Sequence, residues 1–377
     1  MNIQFPSGSG IQGFVYWLLS QIMGWGWISY AFAIIFFTLF LKLILAPLDF
    51  LNRFLTRRTQ IKQQALSGEL ADLQKTYSND PLALARARQN LYQKHGVGGL
   101  GSSLISIVSI IVTMVIFFQV MGALSNISNY NMYKQYEGLH EIYQSYQTQY
   151  SDPAEFAVHE TELKDALNEK YQVTKVSAGW IKNIWQPDSP LSKATKSVDD
   201  YNKSQPQERR LKEDSEKADY EAIYSYIDVK NQNNGFFLLA VISAVTIFLS
   251  MKVNAIMAKR NAPKKVETKK AEPIITYSLR DAKQQNGGEE KPMIDPAQMS
   301  KIMMWTMPII YVYFATLQTS AFAIYMIASS LVSTVLSVGF AFLIDLILRH
   351  MKQPEITKEF DATVINPHAK YFKGGRK

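Results

Sequence analysis

Residues 25–48 read WGWISYAFAIIFFTLFLKLILAPL and contain one charged side chain, Lys42. An α-helix rises about 1.5 Å per residue, so about 20 apolar residues cross the ~30 Å hydrocarbon core of a bilayer. Four similar runs follow at 99–124, 235–257, 299–317 and 321–348. A globular protein can bury one such helix, but five with almost no charge predict an all-α polytopic membrane protein with five transmembrane helices.

The composition narrows the class of function. The chain has 377 residues, a net charge of +8 and no cysteine, which excludes disulfides and thiol-ligated metals. A basic chain can bind nucleic acid or an anionic membrane, but no zinc-ligand spacing or RNP-like motif is present, so DNA is not an expected partner. No Gly-x-x-x-x-Gly-Lys loop or His–Glu metal pattern occurs, and the histidines are scattered. We therefore expect no enzymatic activity, no catalytic residues, no metal and no cofactor.

The apolar runs separate segments of different character. The stretch Ile11–Met23 is too short to cross a bilayer, and residues 1–41 lack the Lys or Arg of a signal peptide, so an interfacial helix is predicted there. The predicted order is an interfacial segment (1–24), span 1 (25–48), a cytoplasmic helical hairpin (49–98), span 2 (99–124), an extracytoplasmic loop domain (125–234), span 3 (235–257), a cytoplasmic linker (258–298), span 4 (299–317), span 5 (321–348) and a basic cytoplasmic tail (349–377).

The charges between the spans predict the orientation. Segments 49–98, 258–298 and 349–377 carry net charges of +4, +3 and +4, whereas segment 125–234 carries −5. Basic segments are retained on the cytoplasmic side of membranes. We therefore predict a multi-pass protein of the cell membrane, with its N-terminus outside the cell and its C-terminus in the cytoplasm.

Segment 49–98 has the pattern of a helical hairpin. Its first helix is predicted to continue from span 1 through Tyr77, and its second to run from Pro81 to His95. Asp80 is placed to cap the second helix and Gly96 to stop it. A thin apolar line along both helices suits packing on each other: Leu70, Leu73, Tyr77, Leu84 and Leu91.

The other two long segments differ from each other. Segment 258–298 is rich in charge with Pro and Gly, and is predicted to be disordered. Segment 125–234 is rich in tyrosine, and Ala154–Tyr171 and Gln207–Ile227 have helical spacing. A small helical domain is predicted there.

An ordered set of motifs resembles the YidC/Oxa family of membrane insertases. They are AIIFFTLFLKLILAPL in span 1, Gln74–Val97 at the hairpin, Trp180-Ile181 with Pro187-Asp188 in the outer loop, DPAQMSKIMMWTMPIIY entering span 4, and AFAIYMIASSLVS in span 5. The resemblance covers the five spans and the hairpin, but not the bulk of 125–234 and 258–290. It implies a bacterial insertase and chaperone, without a large N-terminal periplasmic domain, that helps other proteins enter the bilayer.

The resemblance also implies partners. These are nascent membrane-protein clients and membrane lipid, with the SecYEG translocon and the ribosome as further candidates. The resemblance implies that basic residues of the tail could touch ribosomal RNA, but their low charge density favours a solvated tail that follows the positive-inside rule: Lys370, Lys373, Arg376 and Lys377.

Several positions depart from the family pattern. Lys42 stands where the family carries an intramembrane arginine. In span 2, Ile105 and Ile111 stand where the family usually carries two prolines, and Ser109 stands where it carries a glutamine. Tyr325-Met326 stands at the aromatic pair of span 5. These changes favour a divergent or specialised member of the family.

Polar side chains in the spans are predicted to line a client-binding groove. The set is Lys42 in span 1, Ser102, Ser106, Ser109 and Thr113 in span 2, Ser243, Thr246 and Ser250 in span 3, and Tyr325, Ser330 and Ser333 in span 5. The serines and threonines repeat at helical spacing, so each stripe occupies one helix face. A cation in such a groove attracts acidic residues of a client and lowers the cost of moving polar groups into the membrane.

Two simpler explanations stay open. Small hydroxyl residues are common contacts between membrane helices, and the Lys42 stem is long enough to reach the cytoplasmic interface. A transporter or channel subunit is the competing class, for which internal repeats and acidic residues at the midplane are typical. A structural membrane scaffold is the third class.

Overall fold

The computed structural model describes residues 3–77, 80–97, 100–260 and 296–351, without side chains at 81, 100–103, 258–260 and 296–305. Within these ranges the chain forms helices and two isolated β-bridges. The helices are α1 (Gly10–Met23), α2 (Tyr30–Ala65), α3 (Ser67–Thr76), α4 (Pro81–Lys94), α5 (Leu100–Gln149), α6 (Pro153–Thr174), α7 (Val198–Ser204), α8 (Asp214–Ser225), α9 (Leu238–Arg260), α10 (Pro296–Leu317) and α11 (Ser320–His350). Most of the predicted linker and nearly all of the basic tail lie outside the described residues.

The membrane-spanning character of the chain is confirmed by helix length and composition. Four described helices, α2, α5, α9 and α11, are long and apolar enough to cross a bilayer. The remaining predicted span coincides with α10, whose apolar part with described side chains is the shorter Thr306–Leu317. The apolar window of α5 is only 6% buried, as suits a helix surrounded by lipid. The protein is a helical polytopic membrane protein.

Span 2 does not end where its apolar run ends. Helix α5 passes the predicted boundary at residue 124 and continues to Gln149, for 50 residues, or about 75 Å. Its polar second half is held by burial, because Tyr136, Leu139 and Tyr143 enter the core of the 125–234 domain. Tertiary packing therefore extends a helix beyond the point at which hydropathy predicts its end.

The 125–234 domain is helical, as predicted. Helix α6 confirms the expected helix at Ala154–Tyr171, and its N-cap Asp152 accepts a hydrogen bond from the Ala154 amide at 2.8 Å. The second expected helix, Gln207–Ile227, is shorter than predicted, because a capping box at Glu213 starts α8 only at Asp214. The buried core of this domain is largely aromatic: Tyr136, Leu139, Tyr143, Leu163, Leu167, Tyr171, Tyr201, Leu211, Tyr220, Ile223, Tyr224 and Ile227.

The chain divides into two compact units. Unit 1 comprises Met1–Ile44 and Val115–Val335, and unit 2 comprises Leu45–Met114 and Leu336–Lys377. In unit 1, α9 packs against α10. An aromatic cluster joins four helices of unit 1, with ring centroids 5.5–6.5 Å apart: Phe37, Phe117, Phe314, Phe322 and Tyr325.

The hairpin belongs to unit 2 and follows the predicted design. The Asp80 carboxylate accepts hydrogen bonds from the first amides of α4 at 2.9 and 3.0 Å, and Gly96 adopts the positive φ of +58° that ends it. The predicted continuous first helix is interrupted at Leu66, which separates α2 from α3. The interruption allows Leu66 to be fully buried in the hairpin core with Leu73 and Leu91.

Candidate functional site

Lys42 lies at the margin of the buried face of α2 in unit 1. That face carries Phe37, Thr38 and Leu41, which are buried, whereas Lys42 is half-buried. The Thr38 hydroxyl donates a hydrogen bond to the Ile34 carbonyl at 2.7 Å. This hydroxyl therefore has its hydrogen-bond partner within the same helix. Lys42 follows Thr38 by one turn, on the same side of α2.

Two of the predicted groove hydroxyls in unit 1 are buried without a hydrogen-bond partner within the described part of the chain. Ser243 of α9 and Ser330 of α11 are 0% and 4% exposed, and the oxygen of each is unpaired. A buried polar group without a partner costs about 1–3 kcal/mol. Each of these hydroxyls therefore marks a position at which a water molecule or another polar group is favourable.

The other predicted groove residues of unit 1 differ in how deeply their side chains are buried. Ser250 and Tyr325 are buried. Thr246 and Ser333 are half-buried, and Thr246 donates to the Ser243 carbonyl at 3.0 Å. These two helices thus present buried hydroxyls at the predicted positions, with internal hydrogen bonds at some of them.

The hydroxyl stripe of α5 lies in unit 2 and is in part a packing feature. Ser106 donates to the Asn52 side chain of α2 at 2.8 Å. Thr113 is exposed and donates to the carbonyl of Ser109 one turn earlier at 2.7 Å. The side chain of Ser102 is outside the described set. The Ser106 hydroxyl therefore forms a contact between α5 and α2.

A charge network in unit 2 was not predicted. The Arg53 guanidinium contacts both carboxylate oxygens of Asp49 at 3.0 Å and donates to the Ser337 hydroxyl of α11 at 2.8 Å. Arg57 approaches Asp345, also of α11, at 3.6 Å. The i, i+4 spacing of Asp49 and Arg53 is a local signal for the first pair. No local signal identifies Arg57 as a partner of Asp345.

The irregular segment 175–197 between α6 and α7, here called the collar, joins the ends of three span helices in unit 1. Trp185 packs on Tyr30 at the start of α2, with ring centroids 5.0 Å apart. The Gln186 carbonyl accepts hydrogen bonds from both the amide and the hydroxyl of Ser320, the first residue of α11, at 3.0 and 2.7 Å. Sequence reasoning noted the collar motifs but assigned them no role.

Asp188 attaches the collar to α9. Its carboxylate is fully buried and accepts hydrogen bonds from the amides of Phe236 and Leu239 at 2.9 and 2.6 Å, and from the Trp180 indole at 3.2 Å. Amide groups at a helix N-terminus carry partial positive charge, which offsets the burial of a carboxylate. Gly235 leaves the necessary space, because a Cβ atom there would lie 1.8 Å from the carboxylate.

A small polar cavity lies between the collar and the tyrosine-rich core. It is large enough for about one water molecule and is lined by Lys196, Gln135 and Tyr201, among others. The Tyr201 hydroxyl is buried without a hydrogen-bond partner in the described structure. Burial lowers the pKa of Lys196 to about 8, although Asp200 partly opposes the shift. Within the described residues, no group of acidic or histidine side chains is arranged to hold a metal ion.

The fold defines the class of this protein as a helical polytopic membrane protein. Comparison with known proteins identifies its family. The chain matches the 60Kd inner membrane protein family over residues 18–341. It therefore belongs to this family, which confirms the YidC/Oxa resemblance of its motifs.

A curated relative shares part of the sequence. The chain is 38% identical over 76 residues to the membrane protein insertase YidC of Clostridium tetani (strain Massachusetts / E88), a match that covers 20% of this chain and 33% of the relative. The chain thus spans about a third of the length of the relative that it matches. No solved structure matches the chain.

Proposed function

We propose that this protein is a membrane protein insertase that receives hydrophobic client segments in the bilayer and promotes their insertion and folding. The observation that carries the proposal is membership of the 60Kd inner membrane protein family over residues 18–341. The name of the Clostridium tetani relative, an insertase, supports it. The expected setting is the bacterial cell membrane, with the N-terminus outside, the C-terminus in the cytoplasm, and SecYEG and the ribosome as candidate partners.

The proposed mechanism uses polar side chains of unit 1. Lys42 supplies positive charge from a half-buried position on α2. Ser243 and Ser330 supply buried hydroxyls that have no geometric hydrogen-bond partner within the described residues, although Tyr311 lies close enough to Ser330 to interact with it. A client that crosses the bilayer must bring polar groups through it, and each such group costs free energy unless it meets water or a hydrogen-bonding partner. The cation would attract acidic residues of the client's leading tail and the hydroxyls would hold water beside it.

Substitution of Lys42 tests this mechanism. An ion pair at 4 Å contributes about 1 kcal/mol in water and about 4 kcal/mol near a protein surface. Lys42→Ala is therefore expected to slow insertion of a client with an acidic leading tail on the order of tenfold. Lys42→Glu should be slower still, because it repels the tail, and Lys42→Arg should remain active. The measurement is protease protection of the client's tail in vesicles that contain equal amounts of each variant.

Lys252 provides the matched control, since it is an exposed cation on α9 near the end of its span. Lys252→Glu should insert the same client at the wild-type rate. Normal insertion by Lys42→Glu would remove Lys42 from the mechanism and favour the alternative in which its stem reaches the interface. Failure of both Lys42→Glu and Lys252→Glu would indicate a general charge effect.

A further inference from the structure

Three large apolar side chains are exposed around Asp188. Trp180, Leu191 and Phe236 are 37%, 87% and 65% exposed. They are tied together, because Trp180 and Phe236 both donate to the same Asp188 oxygen. The Leu191 amide donates to the Ser189 side chain one residue beyond Asp188. These three residues, here called the apolar rim, are therefore held by hydrogen bonds to Asp188 and its neighbour Ser189.

The apolar rim lies next to the start of a helix long and apolar enough to cross a membrane. Phe236 is two residues before α9, whose apolar span begins at Leu238. A hydrogen bond from the Leu239 amide to Asp188 fixes the collar against that helix end at 2.6 Å. Aromatic and aliphatic side chains at the end of a span are typical of the boundary between headgroups and acyl chains.

Charge is unevenly distributed over the 125–234 domain. The collar contains four lysines and one acidic residue, the buried Asp188. The rest of the domain carries nine Lys or Arg against seventeen Asp or Glu. Lys193 is exposed and Lys182 half-buried, on either side of Asp188 in sequence, whereas Lys196 lines the internal cavity. In sequence, the lysines of the collar therefore accompany Trp180 and Leu191 of the apolar rim, whereas the acidic residues belong to the rest of the domain.

We propose that the collar is a lipid-docking surface. The apolar rim enters the interfacial zone of the leaflet next to the N-terminus of α9, and Lys182 and Lys193 bind the phosphates of anionic lipids there. Lipid is the occupant that continuity with a membrane span and the positive charge both favour. The acidic remainder of the domain is repelled by the same surface, so the 125–234 domain is held above the membrane in one orientation. This proposal depends on α9 being a span and is independent of insertase activity.

A depth measurement tests the docking. The chain has no cysteine, so Leu191→Cys can carry a single environment-sensitive fluorophore in the full-length protein reconstituted in vesicles with phosphatidylglycerol. Val158→Cys in α6 is the matched control, because Val158 is also apolar and highly exposed, at 76%. Lipids with a nitroxide near the headgroup should quench the Leu191 probe several-fold more than the Val158 probe, and aqueous iodide should do the reverse. Equal behaviour of the two probes would overturn the proposal.

The lipid charge supplies a second test. Quenching of the Leu191 probe should rise with the fraction of phosphatidylglycerol, and Lys182→Gln should remove most of this dependence. Lys203→Gln, an exposed lysine of α7, should leave it intact. A probe that is quenched by lipid equally with and without phosphatidylglycerol would contradict the phosphate contact. Quenching that appears only after a client or translocon is added would mean that the surface docks protein instead of lipid.

Discussion

At the scale of single residues, Asp188 is a fully buried carboxylate whose hydrogen bonds join the collar to the start of α9. Within the described residues, this carboxylate accepts hydrogen bonds from uncharged donors, two amides and an indole. Burying a carboxylate is costly unless several hydrogen bonds compensate it. The buried carboxylate of Asp188 is therefore stabilised only while the collar and the start of α9 remain in contact. In turn, that contact depends on the hydrogen bonds of Asp188.

Substitution of Asp188 should lower the stability of the membrane-embedded protein. Asp188→Asn replaces one acceptor oxygen with an NH₂ group that opposes an amide donor, and should cost about 1–3 kcal/mol. Asp188→Ala removes the acceptor of three donors, of which the Leu239 amide is buried, and should cost more. The measurement is the apparent unfolding temperature in detergent, followed by the fluorescence of the native tryptophans.

Asp152 provides the matched control for this prediction. It is an exposed aspartate that caps α6 through one amide, and asparagine is about as good an N-cap as aspartate. Asp152→Asn should therefore unfold within a degree or two of the wild type. An Asp188→Ala protein that unfolds at the same temperature as Asp152→Asn would show that the carboxylate is not a stabilising contact.

At the scale of helices, the hairpin is the part whose construction follows most directly from its residues. Asp80 and Pro81 begin α4, Gly96 follows its end, and the apolar line packs α4 on α3. All of these signals act over a few residues. The interruption at Leu66 is the exception, since it depends on the burial of that side chain against α4.

Proline in the middle of α4 should unfold the hairpin locally. Ala87 is 9% exposed and lies in the hairpin core, and proline in a helix interior costs about 3 kcal/mol or more. Ala87→Pro should make the 67–97 region sensitive to limited proteolysis and impair client insertion, while the membrane helices and protein level are unchanged. Ala87→Gly, which costs about 1 kcal/mol, should remain resistant and active. If Ala87→Pro is cleaved yet inserts clients normally, the hairpin is dispensable for insertion.

At the scale of the whole molecule, the distribution of charge predicts which segments face the cytoplasm. Segments 49–98, 258–298 and 349–377 are basic and segment 125–234 is acidic. The acidic segment is a folded domain whose aromatic core includes the second half of α5. Since α5 continues from span 2 into this domain, we predict that the whole domain lies on one side of the membrane.

Cysteine labelling checks this topology in intact cells. Cysteines introduced at Ser151 and Lys203, both exposed in the 125–234 domain, should react with a membrane-impermeant thiol reagent. Those at Thr76, Lys269 and Lys373 should react only after the cells are opened. Because the chain is cysteine-free, the wild type is the background control. Labelling at Lys269 from outside would overturn the predicted arrangement of five spans.

Features that arise between neighbouring residues can be predicted from the sequence. Apolar runs of about 20 residues with very few charges can cross a bilayer whatever they pack against, and the cap at Asp80 needs only the next three residues. The positions of Ser243 and Ser330 on helix faces follow from the helical repeat in the same way. Whether these residues and Lys42 act on clients remains a prediction.

The tertiary structure alone decided the features that join distant parts of the chain. Asp188 and Leu239 are 51 residues apart, and Arg57 and Asp345 come from opposite ends of the sequence. The second half of α5 is helical because the tyrosine-rich core buries one side of it. In each case the stabilising partner is absent from the local sequence, and the free energy of burial or hydrogen bonding exists only after the helices have packed.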